Sequence, residues 1–281
     1  MTSPFQTPIE ENLPWLAGLL EGNGCFGVTV KRSTYSPYIE VQLVDEQLLS
    51  TIAWFFETRV RMSTNPDHPD WQPIYRTTLY QKEKVVWLFK RLIPYFSQRK
   101  QLKVQELIRF MDPGYVFDPK QALFANSCLP EPYAEVPSSR EVKSLSDSEL
   151  QWLTGLLEAK GHIHFDRRST IPSPGIVVKS SDQDLIAYVS TLLNQRYTVG
   201  LLKPTPEHHR PIKWGTVEYI LSVKSRSRVE AYLSQCLVHC HGVSLSKQIL
   251  EALDSLEAYK TWKSLPCKNR PLLWPKKLPR K

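Results

Sequence analysis

LPWLAGLLEGNGCF runs from Leu13 to Phe26, and LQWLTGLLEAKGHI runs from Leu150 to Ile163. Aligned without a gap, they share Leu, Trp, Leu, Gly, Leu, Leu, Glu and a late Gly. Self-similarity at domain spacing reads as an internal duplication. Each copy opens as a helix with a small-residue side: Ala17, Gly18 and Gly22 in the first, Thr154, Gly155 and Ala159 in the second. Small side chains let two backbones approach, so the simplest arrangement packs the two helices on each other at a pseudo-twofold axis.

Working outward, Thr7 and Glu10 have capping-box spacing ahead of the first motif, and Pro14 falls in its first turn, where a missing N–H costs little. Gly22 and Gly24 end the helix. From Cys25 the period changes to two, with Phe26, Val28 and Val30 on one face and Cys25, Gly27, Thr29 and Lys31 on the other. After a turn over 33–37, inward Ile39, Val41 and Leu43 alternate with outward Glu40 and Gln42, which predicts a hairpin with one wet face. Helical spacing resumes over Glu46–Glu57. Strands are expected near Arg59–Ser63 and Ile74–Gln81, and helices over Lys84–Phe96 and Gln98–Met111. Arg59, Arg61, Arg76 and Lys82 then extend the polar side of one sheet. The pattern makes an αββαββα unit complete by Asp112.

The second copy repeats the plan. Ser146 and Glu149 offer a capping box. Ile163 and Phe165 point inward, and His162, His164, Asp166 and Arg168 outward. Asp45 and Asp182 stand at matched positions ahead of helices, where a carboxylate caps the first turn. Tyr75 with Tyr219, and Lys100 with Lys247, match at growing spacing, so the second half has longer loops. The chain divides into a first repeat over 1–112, a proline-rich linker over 113–145, a second repeat over 146–262 and a basic, proline-rich tail over 263–281.

These paired motifs resemble those of the LAGLIDADG homing endonucleases and their maturase relatives, in the single-chain form with two motifs. The resemblance implies an α+β monomer of two αββαββα halves that lays paired sheets along a nucleic-acid duplex. It places one metal-binding acid at the eighth position of each motif, and here that position holds Asn23 and Lys160. Hard Mg²⁺ takes oxygen ligands, mostly carboxylates. Asn23 offers a neutral carbonyl oxygen, whereas Lys160 has only donors. A unit charge 4 Å from another is worth about 4 kcal/mol at an effective dielectric near 20, so an ammonium there opposes a divalent ion.

Glu21 and Glu158 are the carboxylates left in the motifs, two positions earlier. They are candidate metal ligands in a rearranged site, as are Asp45 and Asp182, or polar groups that hold the end of each motif helix. About 200° separates positions two apart on a helix, which turns them away from the eighth position. The resemblance also implies a basic residue near the centre of each half, and Lys100 and Lys247 fit, with Arg99 as a competing alignment. Base reading and phosphate contact from the sheets fall to Lys31, Glu40, Gln42, Arg61 and Arg76 in the first half and His162, His164, Arg168 and Lys179 in the second. The stretch CLVHCH, with Cys236, His239, Cys240 and His241, invites a zinc reading, but no second ligand pair has zinc spacing; buried thiols are the ordinary alternative.

Composition adds bounds. The chain has 281 residues, 41% hydrophobic, enough for a core in each half. Of the formal charge of +8, seven positive charges lie in 263–281 without an acid, so a nucleic-acid surface in the body has to be a local stripe. The tail is a phosphate-binding arm or a packed strap. Five cysteines without a disulfide framework fit an intracellular reducing compartment, the matrix or stroma if the gene is organellar. No run approaches the roughly 18 apolar residues of a membrane span, and residues 1–12 carry Glu10 and Glu11 but no Arg, so no leader is expected. The expected function is nucleic-acid binding without ordinary cleavage, as a maturase-like binder of structured RNA or a noncleaving binder of duplex DNA. The alternatives are an active Mg²⁺-dependent site-specific endonuclease and a structural ribonucleoprotein component.

Overall fold

The computed structural model describes residues 4–31, 34–64, 70–118, 142–201 and 217–266. The first half runs α1 (Leu13–Asn23), β1 (Gly24–Lys31), β2 (Thr34–Leu43), α2 (Glu46–Phe56), β3 (Arg61–Ser63), β4 (Ile74–Leu79), α3 (Lys82–Leu92) and α4 (Gln98–Met111). The second runs α5 (Asp147–Lys160), β5 (Gly161–Asp166), β6 (Ser173–Ser180), α6 (Gln183–Leu192), β7 (Tyr197–Leu201), β8 (Val217–Val223), α7 (Arg226–Cys236) and α8 (Val243–Ser264). Each half thus runs αββαββα followed by one more helix, which in the first half is the expected Gln98–Met111. Both sheets are antiparallel and share one strand order, β1-β2-β4-β3 and β5-β6-β8-β7.

Alternation along the strands decides which face each sheet buries. In the first, Phe26, Ile39, Val41 and Leu43 are buried, and Phe26 packs edge-on against Phe89 of α3 at 5.3 Å between ring centroids. In the second, Ile163, Ile176, Val178, Leu221 and Val223 are buried with Val189 of α6 and Val229 and Leu233 of α7. Asp45 and Asp182 cap the helices that follow the hairpins, accepting from the amides of Leu48 at 3.0 Å and Leu185 at 3.3 Å.

Local patterns alone did not fix every contact. Ser146 and Glu149 form a capping box, with the Glu149 amide donating to Ser146 Oγ and the Ser146 amide to Glu149 Oε2 at 2.8 Å. Thr7 and Glu10, with the same spacing, do not. Thr7 Oγ1 donates instead to the Phe55 carbonyl, and a 3-10 turn at Glu10–Asn12 leads into α1. Val30 is 63% exposed near the free end of the hairpin, while Tyr35 opposite it packs edge-on against Phe110 of α4 at 5.2 Å between centroids. Lys82 lies in the first turn of α3 rather than on the sheet, and Arg59 precedes β3. Most of the expected linker, 119–141, and of the expected tail, 267–281, lies outside the described residues.

The chain forms two compact units. Leu145–Lys160 and His239–Ser244 group with the first sheet and its helices, while Gly161–Val238 belongs to the second unit. The cause is α5, whose small-residue side packs on α1. Among the described residues no helix is long and apolar enough to cross a membrane.

Candidate central site and sheet faces

Close approach of α1 and α5 is set by two reciprocal glycines. A Cβ built at Gly18 would stand 1.9 Å from the Trp152 carbonyl oxygen, and one at Gly155 would stand 1.9 Å from the Trp15 carbonyl oxygen. Trp15 and Trp152 are both fully buried beside these contacts. Further along, a Cβ at Gly22 would meet Ala159 Cβ at 2.4 Å, so the helices run parallel and end together. Two helix C-termini side by side leave orphan carbonyls and a negative dipole end.

The side chains around that end are mostly committed to it. Asn23 Nδ2 donates to the Ala159 carbonyl at 2.9 Å. Lys100, from the first turn of α4, donates to the Leu20 carbonyl and to the Glu21 carbonyl at 2.9 Å, and its ammonium lies over the Phe26 ring. A cation on the last carbonyls of a helix is favourable. Lys160, the last residue of α5, is exposed. Lys247 is exposed in the first turns of α8.

Glu21 and Glu158 point back into the body. Glu21 is buried and accepts from the Ser97 amide and from Ser97 Oγ at 3.2 Å, with the Lys100 ammonium 3.8 Å away. Glu158 accepts from Trp15 Nε1 at 2.6 Å and from the amides of His241 at 2.8 Å and Gly242 at 2.5 Å. Both carboxylates therefore tie a motif helix to a chain segment remote in sequence. Nothing in the local pattern marks Ser97 or Trp15 for these roles.

The CLVHCH residues separate. Cys236 is in the core of the second unit, His239 Nε2 lies 3.3 Å from Asp147 Oδ1, and His241 packs on the Trp15 ring at 4.3 Å between centroids. Among the described residues no group of three or more His, Cys, Asp or Glu side chains is placed to hold a metal ion.

His241 and Glu158 titrate in opposite senses. Burial lowers His241 below its ordinary value of 6.5, with a smaller contribution from His239. Burial raises Glu158 above 4.5 against its three donors. A depressed histidine contributes stability that is present above 6.5 and lost as pH falls through its folded value; a raised carboxylate contributes stability that is present below 4.5 and lost as pH rises through its folded value. An NMR titration of the His241 ring should give a midpoint below 6.5. A midpoint at or above 6.5 would mean that the imidazole is solvated rather than packed on Trp15.

The outward face of the first sheet follows from its register. Gln42 pairs with Arg76 and Arg76 with Arg61, while Glu40 pairs with Thr78 and with Cys25. Lys31 ends β1 opposite Thr34. On the second sheet, His162 and His164 are exposed on β5 with ring centroids 6.4 Å apart, and Lys179 lies 3.8 Å from Glu218. Arg168 falls in the turn after β5 instead of on the strand. Its guanidinium is held by Asp166, which keeps that carboxyl well below the usual carboxylate range.

Comparison with solved structures decides the fold. The LAGLIDADG meganuclease I-AabMI bound to uncleaved DNA aligns over 89% of this chain and 91% of its own, with TM-score 0.55 and 14% identity. I-SmaMI bound to uncleaveable DNA aligns over 88% and 96%, with TM-score 0.50 and 12% identity, and I-CpaMI bound to uncleaved DNA over 88% and 92%, with TM-score 0.50 and 10% identity. This chain has the duplicated LAGLIDADG homing-endonuclease fold. No protein-family model matches the sequence, and no curated protein matches it. The two helices that pair in this fold are α1 and α5, which end at Asn23 and Lys160.

Proposed function

We propose that the protein binds a specific duplex DNA along the outward faces of its sheets and does not carry out ordinary metal-dependent cleavage. The observation that supports this most is the joint end of α1 and α5. Asn23 spends its amide on the Ala159 carbonyl, Lys160 contributes a cation, and the nearest motif carboxylates are held by Ser97 and by the Trp15, His241 and Gly242 donors. With no carboxylate at either eighth motif position, a divalent ion there lacks the ligands it prefers. Lys160 supplies positive charge for a phosphate in its place, and exposed Arg61 and Lys179 supply more from the sheets. Duplex DNA is favoured because the similar structures I-AabMI and I-CpaMI are bound to uncleaved DNA.

Selection from randomised duplex DNA and from a structured RNA pool, each in EDTA and in Mg²⁺, tests the binding half of this reading. The expected result is enrichment of one duplex sequence with equal efficiency in both buffers. Enrichment of RNA alone would replace it with a maturase-like function, and a strict Mg²⁺ requirement for duplex binding would contradict the metal-free centre.

A further inference from the structure

The first sheet carries a carboxylate in the middle of the face that the proposed function turns toward a polyanion. Glu40 Oε1 accepts from Gln42 Nε2 at 2.7 Å, and Oε2 accepts from Thr78 Oγ1 at 3.3 Å. Arg76 Nη1 lies 3.8 Å from the same Oε2, reaching it diagonally because Arg76 pairs directly with Gln42. The Glu40 side chain is 18% exposed and that of Arg76 46%. Arg61 stands directly opposite Arg76 on β3, is exposed, and has no ion pair among the described residues.

A surface built only for affinity has no use for this acid. A carboxylate facing phosphates repels them whatever the base sequence. Toward base edges its properties differ, because it accepts from an exocyclic amino group and rejects an edge that offers only acceptors. It also fixes neighbouring side chains. Gln42 and Arg76 already sit on Glu40, which reduces what must be ordered on binding. Like charges directly opposite on a sheet repel, and the Glu40 contact draws Arg76 away from Arg61. Arg61 is left as a cation free to meet a phosphate.

We infer that Glu40 is a specificity-determining residue that lowers affinity for duplex DNA in general and raises discrimination, by holding Gln42 and Arg76 to base edges while Arg61 takes a phosphate. The inference rests on the proposed DNA-binding function and assigns different roles to residues that sequence places on one face. Each role has its own signature. Loss of a base-reading group relaxes discrimination, whereas loss of a phosphate contact weakens all sequences alike and flattens the salt dependence.

The experiment compares wild type, Glu40→Gln, Glu40→Asp and Arg61→Ala on the duplex selected by the wild type and on random duplex, across a salt titration. Thermal melting of each variant confirms that it is folded. Glu40→Gln is expected to bind random duplex a few fold more tightly at low salt, a gain that shrinks as salt is raised, and to lose about tenfold in discrimination. Glu40→Asp keeps the charge but shortens the reach to Gln42, so discrimination falls without a gain on random duplex. Arg61→Ala weakens binding to both duplexes equally and lowers the salt slope by about 1. Wild-type discrimination in both Glu40 variants, or equal loss on both duplexes, overturns the inference while leaving the binding function standing. If the wild type selects no duplex at all, the binding function itself falls, and the inference with it.

Discussion

Gly18→Ala is expected to destabilise the chain by about 3 kcal/mol, and Gly155→Ala by a similar amount, because each new methyl group is driven into a backbone carbonyl. The oxygen 1.9 Å from either built Cβ belongs to the facing helix, and a helix carbonyl cannot turn aside as a side chain can. Relief requires α1 and α5 to move apart, which loosens the packing around Trp15 and Trp152. For a chain of this size the loss corresponds to a fall in Tm of roughly 6–12 °C. The two substitutions should not add. Once one methyl group has separated the helices, the second meets less resistance, so the double variant loses less than the sum. Gly200→Ala is the control, since its Cβ would meet only Ile220 Cδ1 at 3.7 Å and the Glu218 carbonyl at 3.8 Å, ordinary contact distances. A Gly18→Ala melting curve within 2 °C of wild type would show that the helices are not in contact there.

Replacing Asn23 by Asp and Lys160 by Glu together should create divalent-metal binding where the native chain has little. The double change adds two carboxylates and removes one ammonium beside the ends of α1 and α5. Lys160 is exposed, so solvent and salt screen much of the effect, and the expected rise in Mg²⁺ or Mn²⁺ affinity is about tenfold to a hundredfold. Asn23→Asp alone should do less, because Lys160 remains to repel the ion and the hydrogen bond donated to the Ala159 carbonyl is lost. Lys160→Glu alone leaves Asn23 without a charge. Calorimetry with each metal, without DNA, separates these cases. Equal metal affinity in the native and doubly substituted proteins would show that the two positions do not face a common site.

The fold was legible because its two deciding signals are local and occur twice. The motif helices announce themselves through Gly18 and Gly155, whose reciprocal carbonyl contacts answer the small-residue pattern. The hairpins announce themselves through strict alternation, and the cap positions of Asp45 and Asp182 agree in both halves. Contacts between segments distant in sequence were less legible. Whether Glu21 and Glu158 face outward or inward depends on Ser97 and on the turn at His241 and Gly242, which no spacing within the motifs encodes. Thr7 shows the same limit, since its capping spacing is overridden by the Phe55 carbonyl. Arg168 has the composition of a DNA-contacting residue, yet Asp166 two residues earlier claims its guanidinium. Alternation identifies Glu40, Gln42, Arg61 and Arg76 as one face; only the register shows that Glu40 gathers two of the others and leaves Arg61 apart.

The joint end of the motif helices is proposed to bind DNA without cutting it. The most direct measurement follows the duplex selected by the native protein, labelled on both strands, through a Mg²⁺ and Mn²⁺ titration under conditions where the complex is saturated. The native protein should keep the duplex bound and intact at every metal concentration, with the same affinity in EDTA, while the Asn23→Asp, Lys160→Glu protein gains metal-dependent nicks at a defined position. Efficient cleavage at one site by the native protein would contradict that proposal, and would make Asn23 and Lys160 parts of a working centre.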